Sequence, residues 1–223
     1  MEKRKLILGT YDTARDGLWT LASLVLTDPE PQEHFQEVKG RDGLLDLSTA
    51  MTDGEPRYGN RTLTATLECS EGTREERKAR IGQMVNWLDG WRLDVVHPDY
   101  PTHYLTGRVK VREEYNDLAH AAVTVTVNCD PWFYSRIEKV YNLVAADISQ
   151  SVVLVNDGRR SVVPQIVVTG SAPSITLEYG DMVQSLGAGT YRLPDLLLKY
   201  GTTPVKYTGT GTARITYREA VLR

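Results

Sequence analysis

The chain has 223 residues and a mass of 25.0 kDa, a length that suits one large domain or two small ones. Hydrophobic residues make up 41% and charged residues 25%, enough to bury a core, which excludes disordered, collagen-like and disulfide-scaffold classes. Lys and Arg total 26 against 29 Asp and Glu, a net charge of -3, so there is no global basic field to hold nucleic acid or an anionic membrane.

The N-terminus, MEKRKLILG, starts positively charged but its apolar stretch ends at once, too short for a signal peptide. No run reaches the ~20 apolar residues of a membrane span. Synthesis in the cytoplasm is the expectation. Without a secretory signal, the acceptor-like triplet Asn60-Arg61-Thr62 reads as chance.

Residues 40–61, GRDGLLDLSTAMTDGEPRYGNR, form a long, glycine-rich polar stretch between strand candidates, and loops of that length are uncommon unless functional or disordered. Arg41, Asp42, Asp46, Asp53, Glu55, Arg57 and Arg61 mix both signs, which suits a complementary protein interface better than an anion site.

Strict alternation follows. Leu63, Ala65, Leu67 and Cys69 share one face and Thr62, Thr64, Thr66 and Glu68 the other, as the two-residue side-chain period of a strand requires. The β rhythm then breaks. From Thr73 to Asp89 the apolar residues Ile81, Met84, Val85 and Leu88 recur at helical spacing. Thr73 and Glu76 spell a capping box and Gly90 a helix stop. A helix of about 16 residues, ~24 Å long, is expected to be the single helix packed on the sheet, with Arg74, Glu75, Arg77, Lys78 and Arg80 as its charged face.

The stretch HPDYPTH places His97, Asp99 and His103 close together. Two histidines and a carboxylate can ligate zinc or iron, but only if they converge on one point. The two prolines mark a turn, and no metal site is expected; His34 and His120 stand alone. Residues 103–115 and 118–129 read as two long paired strands, with Asn116-Asp117 as the hairpin turn. Cys69 and Cys129 fall at apolar positions of strands and read as buried free thiols.

Pro131 ends the ladder within Asp130-Pro131-Trp132-Phe133-Tyr134, and a domain boundary is placed after residue 135. Beyond it come short valine- and threonine-rich segments closed by turn residues: Val152–Val155, Val162–Thr169 before Gly170, Ile175–Tyr179, Met182–Leu186, Leu196–Tyr200, Val205–Thr208 before Gly209-Thr210-Gly211, and Ala213–Tyr217. The fold class expected is mainly β: residues 1–135 an α+β domain, a β-sandwich with one packed helix, and residues 136–223 a small jelly-roll sandwich.

Phosphate-binding glycine loops, the dinucleotide turn and the serine-hydrolase elbow are all missing. No enzyme activity and no cofactor are expected. Tyr179, Tyr191, Tyr200, Tyr207 and Tyr217 leave carbohydrate binding by the jelly roll as the alternative, against core packing of the same rings.

Several segments in order carry a resemblance: an N-terminal strand pair, GRDGLLDLS, Tyr58-Gly59-Asn60-Arg61 leading into LTATLE, the helix ending in LDGW, LDVVHPDYPTHYLTGR, and the strand closing in CDPWFYS. Their sequence resembles the distal tail proteins of long-tailed (siphovirus-type) phages over about the first 135 residues. The remainder, ending in GTGTARITYREAVLR, is similar to the galectin-like domain of that family.

The resemblance implies a structural hub of the virion tail: a hexameric ring formed by the N-terminal domains, contacting the tail tube protein, the tail-tip or tail-associated protein and the receptor-binding apparatus, with DNA only in transit. A ring closes through heterologous contacts, one face meeting a different face of the next subunit. Arg41, Asp42, Asp46, Arg57, Tyr58, Asn60 and Arg61 on the loop, and Arg74 and Arg77 on the helix, are the candidate subunit-interface residues. The roughly 85 residues after the boundary are too few to carry an inserted carbohydrate-binding module.

Overall fold

The computed structural model describes residues 4–50, 52 and 54–222. The chain divides into two compact units, the first ending at Trp132 and the second running from Phe133 to Leu222. The divide falls ahead of residue 135 because Phe133 and Tyr134 pair with Val221 and Ala220 near the C-terminus, which draws them into the second unit.

The first unit contains β1 (Ile7–Leu8), β2 (Tyr11–Asp12), α1 (Thr13–Gly17), β3 (Thr20–Leu26), β4 (Phe35–Glu37), β5 (Leu44–Asp46), β6 (Arg61–Cys69), α2 (Arg74–Leu88), β7 (Arg92–Val96), β8 (His103–Asn116) and β9 (Ala121–Cys129). Its main sheet is antiparallel with strand order β2-β1-β7-β8-β9-β6-β3. The expected sandwich takes the form of one continuous ladder, since β8 is long enough to carry a different neighbour at each end. β7 pairs with Leu105–Arg108 and β9 with Gly107–Asn116, so the two flanks overlap only at Gly107 and Arg108. A Cβ on Gly107 would sit 2.5 Å from the Asn128 carbonyl oxygen, and only glycine lets the β9 backbone come that close.

The alternating faces behave as strand geometry demands. Leu63, Ala65, Leu67, Val109, Val123, Val125 and Val127 are buried, and α2 packs against β8 and β9. Ile81, Met84 and Leu88 point inward from α2, each contributing about 1.5–3 kcal/mol if fully withdrawn from water. The helix begins where the capping box puts it: the Thr73 hydroxyl accepts from the Glu76 N–H at 3.2 Å, and the Glu76 carboxylate accepts from the Thr73 N–H at 2.8 Å. It stops at Asp89, whose N–H bonds the Val85 carbonyl, and the next residue, Gly90, turns to φ 78.

Two elements of this unit depart from the expectation. α1 is a second helix, capped by Asp12, whose carboxylate accepts from the Ala14 and Arg15 N–H groups; five residues are too short to show a helical period. β5, inside the polar stretch, pairs with β4, just ahead of it, as a separate two-stranded sheet.

The second unit contains β10 (Phe133–Ser135), β11 (Lys139–Ala145), β12 (Gln150–Asn156), β13 (Gln165–Tyr179), β14 (Met182–Leu186), β15 (Gly189–Tyr191), β16 (Gly201–Tyr217) and β17 (Ala220–Val221). β13 and β16 run together and are shared by two layers. In one layer β11 and β15 flank their paired halves around Gln165–Thr169 and Gly211–Tyr217; in the other β12 and β14 flank Ser174–Tyr179 and Gly201–Thr210. The inner faces meet in one core that includes Leu154, Ile166, Ile175, Leu177, Leu196, Leu198, Val205 and Ile215.

Gly170 and Gly209-Thr210-Gly211 therefore do not end strands as expected. They lie where the pair bends, at a register shift between Thr169 and Ser174. Gly209 and Gly211 adopt φ 117 and 105, a bulge rather than a turn. The expected strand Leu196–Tyr200 is reduced to a single bridge between Leu198 and Val162, with Leu196 and Leu198 fully buried all the same.

Candidate assembly surface

A projecting arm dominates the first unit. It prolongs the β3–β6 ladder beyond the sheet: the Thr27 N–H donates to the Thr62 carbonyl at 3.0 Å and the Gly59 N–H to the Glu30 carbonyl at 2.8 Å, Pro31 bridges Tyr58, and the Gln32 N–H donates to the Arg57 carbonyl at 2.8 Å. Further out β4 pairs with β5, and the Leu47 N–H reaches the His34 carbonyl at 2.8 Å. Gly40 and Gly43 take φ 85 and 76 at the tip, conformations that glycine adopts without strain. Every residue from Glu30 to Leu44 is exposed.

The candidate residues separate into two groups. Arg41, Asp42, Asp46 and Arg57 are exposed on the arm. The Asp46 carboxyl lies below its ordinary value because the Ser48 side chain and N–H both donate to it. Tyr58 is half-buried at the arm's base with its ring edge-on to Trp132, centroids 5.6 Å apart, and the Asn60 amide donates to Asn128 at 3.0 Å. Arg74 is exposed on α2, its Nε donating to the Asn116 carbonyl at 3.1 Å. Asp53 lies outside the described residues.

Arg61 and Arg77 are corrections. Both are buried, which removes them from the accessible surface. Arg61 opens β6 in register with Cys129, and desolvation lowers its basicity. Arg77 lies one helical turn before Ile81 on the inward stripe of α2, and its guanidinium donates to the carbonyls of Gly72, Asp117 and Leu118. Its position four residues ahead of Ile81 was the available signal. Of the remaining helix charges, Lys78 pairs with Glu113 at 2.6 Å, while Arg80 reaches inward to the Glu71 carbonyl at 2.7 Å and the Cys69 sulfur at 3.4 Å.

The exposed apolar residues of the arm were missed. Phe35 is 48% exposed and Leu44 59%. They share one face, because Phe35 stands opposite Asp46 and Glu37 opposite Leu44. The legible hint was the turn-forming Gly40-Arg41-Asp42-Gly43 between two short β-like runs.

The HPDYPTH residues are engaged separately. Asp99 is held by Arg4 at 2.7 and 2.9 Å, the ring nitrogen Nδ1 of His97 accepts from the Asp99 N–H at 3.1 Å, and His103 contacts the Thr102 hydroxyl at 2.9 Å. Burial lowers the His97 pKa, partly offset by the Asp99 charge. Among the described residues no three His, Cys, Asp or Glu side chains are gathered as a metal site.

Nor do the tyrosines form a stacking platform: Tyr207 and Tyr217 belong to the core of the second unit and Tyr179 and Tyr191 pack against it, while Tyr200 is exposed. No helix among the described residues is long and apolar enough to cross a membrane.

These features define a mainly β chain of two units with one sheet-packed amphipathic helix, a projecting two-stranded arm and a two-layered second unit. No family model matches the sequence, and no curated protein matches it. Its fold is similar to that of the Dit protein (gp 19.1) of SPP1, described as a paradigm of the hub adsorption apparatus in phages infecting Gram-positive hosts. The likeness extends over 98% of this chain and 99% of that one, with a TM-score of 0.66 at 16% sequence identity.

Proposed function

We propose that the chain is a structural subunit of a phage tail hub, a distal tail protein acting in assembly rather than catalysis. The observation that carries this reading is the fold likeness to a hub protein along essentially the whole of both chains. The order of segments noted in the sequence supports it independently.

In this reading six copies close into a ring through the N-terminal domain, about residues 1–135, in the tail of the virion. The ring joins the tail tube protein to the tail-tip protein and the receptor-binding apparatus, and leaves a channel for DNA.

Arg41, Asp42, Asp46, Arg57, Tyr58, Asn60 and Arg74 contribute to subunit contacts. A projecting arm whose apolar residues are uncovered within its own chain suits a contact with a neighbour. A heterologous contact of this kind generates a closed ring when the rotation closes.

Light scattering coupled to size exclusion, with electron microscopy of the same fractions, tests the proposal. The expected result is a hexamer with a central pore at micromolar concentration. A chain that stays monomeric at high micromolar concentration and shows no ring overturns it.

A further inference from the structure

An open cleft of about 570 Å³ lies on the polar face of the first unit's sheet, bordered by Asn60, Arg92, Arg108, Lys110, Thr126 and Asn128, with Asp89, Gly90 and Val109 completing its wall. That volume is in the range of about 300–1,000 Å³ seen for pockets that take small-molecule ligands, more than room for a few side chains. Its charge is predominantly positive. Arg92 is tied to Asp130 at 2.5 Å, Arg108 is anchored by a donated bond to the Gly90 carbonyl at 2.6 Å, and the Asp89 carboxylate is occupied by the Val111 N–H at 2.8 Å. The ammonium of Lys110 has no carboxylate partner among the described residues.

The arm has the opposite character. Residues 28–37, DPEPQEHFQE, hold four carboxylates and no Lys or Arg. The two-residue period puts Glu33, Phe35 and Glu37 on one face, joined across the ladder by Leu44 and Asp46. Two exposed apolar side chains are thus framed by three carboxylates. From Pro31 to Glu37 the arm spans roughly 20 Å at about 3.3 Å per residue. Its ladder to the β3–β6 pair holds it away from its own sheet, and the exposure of Glu30–Leu44 shows that it does not cover its own cleft.

The geometry points to the acidic, Phe35-bearing face of the arm of one copy seating in the Arg108–Lys110 cleft of a second copy. This rests on the assembly reading above and names the two surfaces that meet. The contact is heterologous, leaving each copy with one arm to give and one cleft to fill. Exposed acidic and basic groups steer the encounter and fix its register, while Phe35 and Leu44 lose their contact with water on seating.

The test is a charge swap on the full chain, read by light scattering at 50 and 500 mM NaCl. The arm variant carries Glu33→Lys and Glu37→Lys; the cleft variant carries Lys110→Glu and Arg108→Glu. A milder cleft variant, Lys110→Glu alone, keeps the Arg108–Gly90 bond, and circular dichroism melts confirm that each chain is folded. Each variant alone is expected to assemble at least tenfold more weakly than the parent. The fourfold variant, and an equimolar mixture of the arm and cleft variants, are expected to recover assembly, and salt is expected to weaken the parent.

Folded single variants that assemble like the parent overturn this inference and leave the ring reading standing. So does a fourfold variant that stays dissociated. A cleft variant that assembles normally but loses binding to a short DNA duplex assigns the cleft to nucleic acid and overturns it as well. A parent that never assembles overturns both.

Discussion

The guanidinium of Arg77 donates to the main-chain carbonyl of Asp117 at 2.8 Å, tying the first turn of α2 to the β8–β9 hairpin. Further bonds reach Leu118 at 3.1 Å and Gly72 at 2.5 Å. A buried cation is costly unless hydrogen-bonded, and here three carbonyls that neither helix nor ladder satisfies accept from its two terminal nitrogens, while its Nε has no partner among the described residues. Arg77→Ala strands them and opens a cavity, so it is expected to destabilise the first unit by about 2–4 kcal/mol. Arg77→Met, which refills the volume but supplies no donor, is expected to recover less than half. Urea unfolding of the three proteins measures both effects.

Gly209 takes φ 117 at the bend of β16, where an added Cβ would lie 1.9 Å from the Ser174 carbonyl oxygen. Backbone faces backbone there, so no side chain can swing aside. Gly209→Ala is expected to cost about 3 kcal/mol or more. Gly180, at φ 52 with nothing near its missing Cβ, provides the control: Gly180→Ala should lose about 1 kcal/mol, for the backbone conformation alone. Differential scanning calorimetry compares the two.

Acid should loosen the start of the chain. Burial by itself would raise the Asp12 carboxyl, but the Lys5 ammonium and the Arg15 and Ala14 N–H groups outweigh it and bring it below 3.8. Asp16, donated to by Arg15 and by the Asp12 N–H, falls to about 2. A carboxyl whose folded pKa is depressed stabilises the protein above its unfolded pKa and loses that contribution as pH falls through the folded value. Stability is therefore expected to hold down to about pH 4 and to fall between there and pH 2. Asp12→Ala, which removes the α1 cap, should cost about 1 kcal/mol at pH 7 and flatten the profile in that window, as thermal melts across pH would show.

Burial drives the Cys129 thiol up to about 12, with a smaller opposing effect from Arg61, and Cys69 is buried too. The thiolate is the reactive form. At pH 8 a disulfide-exchange reagent is expected to label neither cysteine in the native protein and both after guanidinium denaturation. Rapid native labelling of either residue would mean that its strand opens locally.

Local order was largely legible in the residues. The Thr73–Glu76 box, the inward spacing of Ile81, Met84 and Leu88, the stop at Gly90, and the alternation through Leu63–Cys69 and Val123–Cys129 are short-range signals. Each is read from neighbours within one turn or one strand, and the structure puts those side chains where the period directs. The mainly β class follows from the same patterns.

Long-range partners decided the rest. Gly170 and Gly209-Thr210-Gly211 carry a turn composition, yet pairing of β13 with β16 on both sides of the bend makes continuing the ladder better than ending it. Arg61 and Arg77 carry the charge of surface residues. Whether such a group is buried depends on donors and acceptors distant in sequence, such as the Asp117 and Leu118 carbonyls forty residues beyond Arg77. The arm shows the same division: the sequence determined a polar, mixed-charge stretch, while the cross-strand register of Phe35 with Asp46 and Glu37 with Leu44 collected acidic and apolar groups onto one exposed face. Side-chain period is a local property of the backbone; which surfaces that period brings together is settled only when distant strands find their register.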